Sequence, residues 1–477
     1  MKINKHFYFW VLSFSAIIGL ILPILIQDGM FIDGVLYTSV GKNLANGIGS
    51  FWFLEFSQLG FADNITFHEQ PPLVFAIQSL FFKFLGDSIY VERVYSFITA
   101  CFNAYLISIL WKLITRDYGS LNKMAWLPVL LWIITPVCFW SFQNNVMENT
   151  MGIFTLSSIY FCYKALYTHK RTYLNLLFAG IFIFLASFSK GVPGLFPIVF
   201  FGIYWIVTQQ LSFYKMLSFS LVIVFVPTII YTLMLLDEEA YRSLSIYFSE
   251  RLIGRIGSSP TVGNRFYTLY RLVSELLPAL IITIILLVTY KIKYINNKID
   301  SSYNKKIILL IIIGLSGSLP LMLTMVQKGF YFSHSIPFFA LGLSLLIAPG
   351  LLNFIDRINL NKIPFKTFKV FSIILLITTI IISLLQIGKT SRNNDLLDDI
   401  YQIGEIVPQY TMITIDKSMW NKWDMQCYFV RHFNISVDPN NLHEYYLINK
   451  SITIPLPAEY VKMQVNLNEF ELYRKIN

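Results

Sequence analysis

The sequence predicts an all-α polytopic membrane protein carrying a small C-terminal α/β domain. Three observations predict it. Of 477 residues, 55% are hydrophobic and only 13% are charged, about half the charged share of a soluble domain, and mean hydropathy is +0.59. Apolar runs of roughly 17–25 residues recur along the chain, the length a helix needs to cross ~30 Å of hydrocarbon. They are continuous rather than ten-residue alternations, which favours helices over a β-barrel.

Eleven spans are expected, near 7–26, 91–113, 124–142, 147–164, 173–189, 192–208, 215–235, 271–290, 307–325, 331–349 and 369–387. The first lacks a small-residue cleavage site and reads as a retained span rather than a signal peptide. Segment 71–86 is shorter, opens on Pro71-Pro72 and ends at Gly86, so it reads as an interfacial helix. A membrane domain 1–387, with a first outer loop 27–90, is thus followed by a soluble domain 388–477. In that tail, 395–407 has helical spacing, while 410–415, 427–430 and 445–448 read as short strands bounded by turn residues.

Charge sets the orientation. The net charge is +10, but its basic residues cluster in short connections: Lys2 and Lys5; Lys112, Arg116 and Lys123; Lys164, Lys170 and Arg171; Lys291 to Lys306; Arg357 to Lys369. With the N-terminus cytoplasmic, all of these fall inside, as the positive-inside rule requires. The last ninety residues hold nine Lys+Arg against eleven Asp+Glu. The basic excess is therefore a topology signal and not a nucleic-acid surface. This orientation puts the C-terminal domain outside the cytoplasm. The four cysteines show no ligand or disulfide spacing.

This topology gathers polar groups on the outer face: Asp28, Asp33, Asp63, His68, Glu69, Glu148, Lys190, Arg251, Arg255, Arg265, Lys328 and His334. Ionised groups at a membrane edge are costly enough to suggest function. Asp33 suits a general base that takes a proton from an attacking hydroxyl or amine; the alternative is an N-cap for helix 34–46. Tyr37, one turn on, shares its face. His68 and Glu69 are adjacent potential ligands for a divalent metal ion, the one cofactor candidate; an interfacial pair bonded to backbone is the alternative. Glu148 suits either a second acidic site or a helix N-terminus favoured by the macrodipole. Lys190, Arg251 and Arg255 suit the phosphate of a lipid carrier, against snorkelling at a membrane edge. The sequons at Asn64 and Asn434 are frequent by chance. No P-loop or dinucleotide motif is present, so direct use of a nucleotide is not expected.

In order along the chain, several motifs resemble lipid-linked-sugar transferases of the GT-C fold, above all the bacterial branch with the lipid A aminoarabinose transferase, related to the protein O-mannosyltransferases. They are Asp33-Gly-Val-Leu-Tyr37, Glu69-Gln70-Pro71-Pro72-Leu73, Phe84-Leu85-Gly86 with Glu92-Arg93, Glu148, Ser189-Lys190-Gly191, and Tyr331 to Pro337. The resemblance covers about residues 1–350. It implies a glycosyltransferase of the bacterial inner (plasma) membrane, hexosyl or pentosyl and inverting, that moves a sugar from a polyprenyl-phosphate donor to an extracytoplasmic acceptor. That acceptor would be lipid A or lipopolysaccharide, another cell-envelope glycan, or protein. Asp33 takes the catalytic aspartate's place, Glu148 that of the second acid, and Tyr37 and Glu69 contact substrate. Departures are Gln70 where the aminoarabinose branch has a lysine before Pro-Pro, Leu36 for an arginine, Glu148 for an aspartate and His334 for a proline. Gln70 is thus a donor-contacting position whose chemistry differs, with phosphate binding shifted toward Lys190 and the arginines. A transporter or flippase of lipid-linked sugars is the rival class. It calls for ionisable groups near mid-membrane and repeat symmetry.

Overall fold

The computed structural model describes residues 5–61, 64–254, 259–289, 301–451 and 457–476. In chain order the helices are α1 (Lys5–Leu25), α2 (Ile32–Ala45), α3 (Leu73–Leu85), α4 (Val91–Ile114), α5 (Trp126–Ile133), α6 (Pro136–Gln143), α7 (Glu148–Tyr167), α8 (Thr172–Lys190) and α9 (Phe200–Thr208). Then come α10 (Phe213–Met234), α11 (Glu238–Ile246), α12 (Tyr267–Thr289), α13 (Ser301–Ser318), α14 (Ile336–Arg357), α15 (Ile363–Leu384), α16 (Asn394–Ile406) and α17 (Trp423–Phe433). Five strands interleave with the last two: β1 (Met412–Ile415), β2 (Ser436–Asp438), β3 (Tyr445–Asn449), β4 (Tyr460–Lys462) and β5 (Phe470–Lys475).

The chain divides into two compact units, Met1–Ile24 with Ser96–Gln386, and Leu25–Tyr95 with Ile387–Asn477. The tail therefore shares its unit with the residues of the first long loop.

The first unit is a multi-pass membrane domain. Among the described residues eight helices are long and apolar enough to span: α1, α4, α8, α10, α12, α13, α14 and α15. The expected span 124–142 is broken into α5 and α6 with a 77° bend, the geometry of a broken span or a re-entrant loop. Pro136 explains the break: it has no N–H to donate, and it is pre-shaped for the first turn of a new helix. Span 192–208 is likewise interrupted, with 3-10 turns over Val192–Val199 that contain Pro193 and Pro197 before α9 begins. Helix α7 occupies the expected 147–164 span but carries Glu148, Asn149, Thr150, Thr155, Ser157 and Ser158 on its buried side. Close helix packing uses small residues, as membrane interfaces do. A Cβ on Gly314 would lie 2.7 Å from the Phe339 ring, and one on Gly342 2.8 Å from Ile311, so α13 and α14 interlock reciprocally.

In the second unit α3 is the expected short apolar helix, ended by Gly86 at φ 81°. The sheet runs β2-β1-β3-β5-β4. β1 is parallel to β2 and β3, β5 is antiparallel to β3, and β4 is antiparallel to β5. Asp399 of α16 is fully buried. Its carboxylate accepts the backbone N–H groups of Asn468 (2.5 Å), Glu469 (2.7 Å) and Phe470 (3.2 Å), fixing where β5 starts. The expected strand 427–430 is in fact the middle of helix α17. Every residue from Met425 to Arg431 is buried, and a short run that is apolar all round suits a helix covered on all sides as well as it suits an inner strand.

Candidate active site

Asp33 lies in the first turn of α2, half-buried, where the helix macrodipole favours a carboxylate. It is not the N-cap, a place taken by Phe31. Tyr37 is buried on the same face, edge-on to Phe67 (centroids 6.4 Å apart) and Phe75 (5.9 Å), and those two rings lie 5.5 Å apart. This aromatic cluster holds segment 67–70 and α3 against α2. The structure thus brings the Asp33–Tyr37 helix and the His68-Glu69-Gln70 segment together. His68 is buried with Nε2 2.9 Å from the Thr66 hydroxyl and its ring edge-on to Phe53. Gln70 is buried and Glu69 half-buried. Among the described residues no group of three or more His, Cys, Asp or Glu comes together that could hold a metal.

Around this helix the same unit carries a buried ionic network that sequence reasoning largely missed. Asp28 accepts from Gly29 N–H (2.8 Å), Arg93 (3.2 Å) and the Tyr401 hydroxyl (2.5 Å). Arg93 also reaches Glu92 (2.8 Å) and the Gln27 carbonyl (3.0 Å). Arg431, only 2% exposed, bonds Glu92 (2.8 Å), Asp87 (3.0 Å) and the Ser88 carbonyl (3.0 Å). Lys42 of α2 meets Asp87 (3.1 Å) and donates to the Arg431 carbonyl (2.7 Å). Nothing local in the sequence marks Arg431, because its acidic partners stand more than 300 positions earlier.

Burial alone would raise the Asp28 carboxyl, but His432, Arg93, Tyr401 and the Gly29 N–H outweigh it and hold it below the ordinary carboxylate value. His432 is lowered to about 4, first by burial and then by Arg431 and Arg93, against the pull of Asp28 and Glu92. In the unfolded chain a histidine titrates near ~6.5. Between that value and about 4 the folded protein binds fewer protons than the unfolded chain. The contribution of His432 is therefore fully present above the unfolded pKa and is lost as pH falls toward the folded one. Thermal midpoints should drop on acidification across that window, and His432→Phe should flatten the drop. An equally steep drop in the variant would remove His432 as its source.

The remaining acidic candidate lies in the first unit. Glu148 opens α7 and forms a buried ion pair with Lys190, the last residue of α8. Lys190 also faces the rings of Phe330 (5.5 Å) and Tyr331 (5.1 Å). The turn after it requires glycine: Gly191 has φ 76°, and a Cβ there would stand 2.0 Å from the Tyr247 hydroxyl. A small pocket is lined by Glu148, Asn149, Asn103, Ser333 and His334, among others. The structure thus joins Glu148, Lys190 and the 331–337 segment. Arg251 is half-buried in the π-helical turn Tyr247–Ile253. Arg255 and Asp63 lie outside the described residues. Glu275, which the sequence reading passed over, is buried in α12, paired with Arg271 (2.6 Å), and accepts the Val137 N–H (2.6 Å) at the start of α6. It satisfies the helix end that Pro136 creates. Its i,i+4 spacing from Arg271 was the available signal.

Residues 69–233 match the family model of dolichyl-phosphate-mannose-protein mannosyltransferase. Among solved structures, the ArnT protein of Cupriavidus metallidurans bound to undecaprenyl phosphate is similar with a TM-score of 0.65 and 11% identity, over 97% of this chain and 97% of that one. The Archaeoglobus fulgidus oligosaccharyltransferase in its apo form gives 0.54 at 14% identity, over 91% of this chain and 64% of that one. The same organism's AglB, in complex with an inhibitory peptide and a dolichol-phosphate, gives 0.50 at 15% identity, over 94% and 70%. Comparison with curated protein sequences found no match. The chain has the fold of the GT-C glycosyltransferases. The likeness to ArnT runs along nearly the whole of both chains.

Proposed function

We propose that this protein is a membrane glycosyltransferase that moves a sugar from a polyprenyl-phosphate donor to an acceptor outside the cytoplasm. The observation that carries the reading is the end-to-end likeness to a structure bound to undecaprenyl phosphate, supported by the mannosyltransferase family match over 69–233. Asp33 accepts the proton of an acceptor hydroxyl or amine as that atom bonds to the sugar's anomeric carbon. The bond from that carbon to the phosphate oxygen breaks, its electron pair leaves with polyprenyl phosphate, and the configuration inverts. Phosphate is a good leaving group, so positioning and charge neutralisation supply much of the rate. Tyr37, Glu69 and Gln70 contact substrate, while Lys190 and the Arg251–Arg255 segment provide cations for the phosphate. Glu148 is the second acidic group and holds the Lys190 side chain in place by pairing with it. A divalent metal on His68 and Glu69 remains part of the proposal, as does placement in a bacterial inner membrane with the tail outside.

The test is transfer itself. Protein reconstituted in liposomes is offered radiolabelled polyprenyl-phosphate sugars together with envelope extract. Label should pass to an acceptor while free polyprenyl phosphate accumulates. Movement of intact labelled lipid between leaflets, with no sugar released from it, would establish the flippase class instead.

A further inference from the structure

Helix α2 carries Asp33 but does not fix its own beginning. Its N-cap, Phe31, offers no side-chain acceptor to the first turn, where a capping oxygen ordinarily takes up the free N–H groups. Asp33 is the second residue of the helix, so its carboxylate goes where the backbone leading into α2 puts it. That backbone is held by the tail of the chain, within the unit formed by Leu25–Tyr95 and Ile387–Asn477. The Asp28 N–H donates to the Lys389 carbonyl (2.8 Å), and the Ser391 N–H returns a bond to the Asp28 carbonyl (2.8 Å). The Ser391 hydroxyl reaches the carbonyls of Asp28 (2.9 Å) and Gly29 (2.6 Å). On α17, the buried Tyr428 donates its hydroxyl to the Met30 carbonyl at 3.1 Å. Three successive carbonyls before the helix thus have donors from the tail. The approach is close enough to require glycine: Gly29 has φ 78°, and a Cβ there would stand 2.5 Å from the Arg392 carbonyl oxygen.

The same tail helix runs on beside α2. Lys42, near the far end of α2, donates to the Arg431 carbonyl at 2.7 Å, about one turn of α17 beyond Tyr428. Helix α17 therefore grips α2 at both ends. Near these ties the Cys427 thiol is pushed up, first by burial and then by the Asp33 and Asp424 carboxylates. That leaves α17 within electrostatic reach of Asp33 itself. A proton acceptor works only within hydrogen-bond reach of the group it deprotonates, and a misplacement of ~1 Å can cost ~10²-fold in rate. A carboxylate in the first turn moves with the start of its helix. Slackening the three carbonyls would displace Asp33 without removing any group from the site.

We propose that Ser391 and Tyr428 are positioning residues for Asp33: their hydroxyls hold the Asp28, Gly29 and Met30 carbonyls and so set where the carboxylate stands against the acceptor. The inference rests on the reading of Asp33 as the base. Full-length protein in liposomes is assayed for transfer from radiolabelled polyprenyl-phosphate sugars to envelope extract, well below its thermal midpoint. Tyr428→Phe and Ser391→Ala each remove one hydroxyl and leave the ring or the backbone in place. Each should lower kcat about tenfold, inside the ~10²-fold that misplacement can cost, with KM for the donor unchanged. Ser391→Thr, which keeps the hydroxyl, should retain the wild-type kcat. In an Asp33→Asn background neither Tyr428→Phe nor Ser391→Ala should lower the residual rate further, because positioning acts only through the carboxylate. Lowered thermal midpoints with kcat unchanged, or a tenfold loss that persists beside Asp33→Asn, would overturn the proposal while leaving Asp33 as the base. Wild-type transfer by Asp33→Asn would overturn the base reading, and this inference with it.

Discussion

Asp33→Asn is expected to lower sugar transfer by about 10²–10⁴-fold, the range a positioned general base contributes. The loss should fall on kcat, with KM for the lipid donor little changed. The reasoning is geometric. Asparagine keeps the size of the side chain and its place in the first turn of α2, and Tyr37 still packs between Phe67 and Phe75. Only the ability to take a proton disappears. The cost to the fold should be small, because Asp33 is half-buried and outside the ionic network of Asp28, Arg93 and Arg431. Transfer rates from a radiolabelled polyprenyl-phosphate sugar, measured beside thermal midpoints, separate the two effects. Equal rates in the two proteins would remove Asp33 as the base. A raised KM with unchanged kcat would make it a binding residue instead.

How much of this was legible in the sequence depended on how local each signal was. The all-helical membrane body, the short helix after Pro71-Pro72 and the helix after Asn393 were readable because apolar length, proline and spacing act within a few turns. Residues 427–430 suggest a strand but form the middle of helix α17, for an equally local reason: when both sides of a segment are covered, the polar stripe that distinguishes the two periods vanishes. The breaks at Pro136 and around Pro193 and Pro197 were visible as prolines, but a run's hydropathy does not show whether it bends. The candidate site divides the same way. Asp33 and Tyr37 share a face by i,i+4 arithmetic. The pairing of Glu148 with Lys190, the grip of Asp399 on the backbone at 468–470 and the ties of Arg431 to Glu92 and Asp87 join residues far apart in the chain. A single sequence holds no local trace of such pairings.

Of those distant ties, Arg431 should matter most for stability. Arg431→Met is expected to destabilise its unit by about 3 kcal/mol, the lower part of the range for breaking a buried ion pair from one side. The substitution leaves Glu92, buried at the start of α4, without its two bonds from the guanidinium (2.8 and 3.3 Å). It also leaves the Ser88 carbonyl without its donor and removes a cation from above the Phe82 ring (5.1 Å). Two features keep the cost from the top of the range. Arg93 still holds Glu92 at 2.8 Å, and Asp87, half-exposed, retains Lys42 at 3.1 Å. Amide exchange over residues 394–451 should therefore speed up about a hundredfold, since every ~1.4 kcal/mol is a factor of ten. Adding Glu92→Gln to Arg431→Met should recover part of the loss, because a neutral amide costs less than an unpaired charge in the same place. A non-additive double-mutant cycle is thus expected. Strict additivity, or exchange unchanged by Arg431→Met, would show that Arg431 is carried by this unit without holding it together.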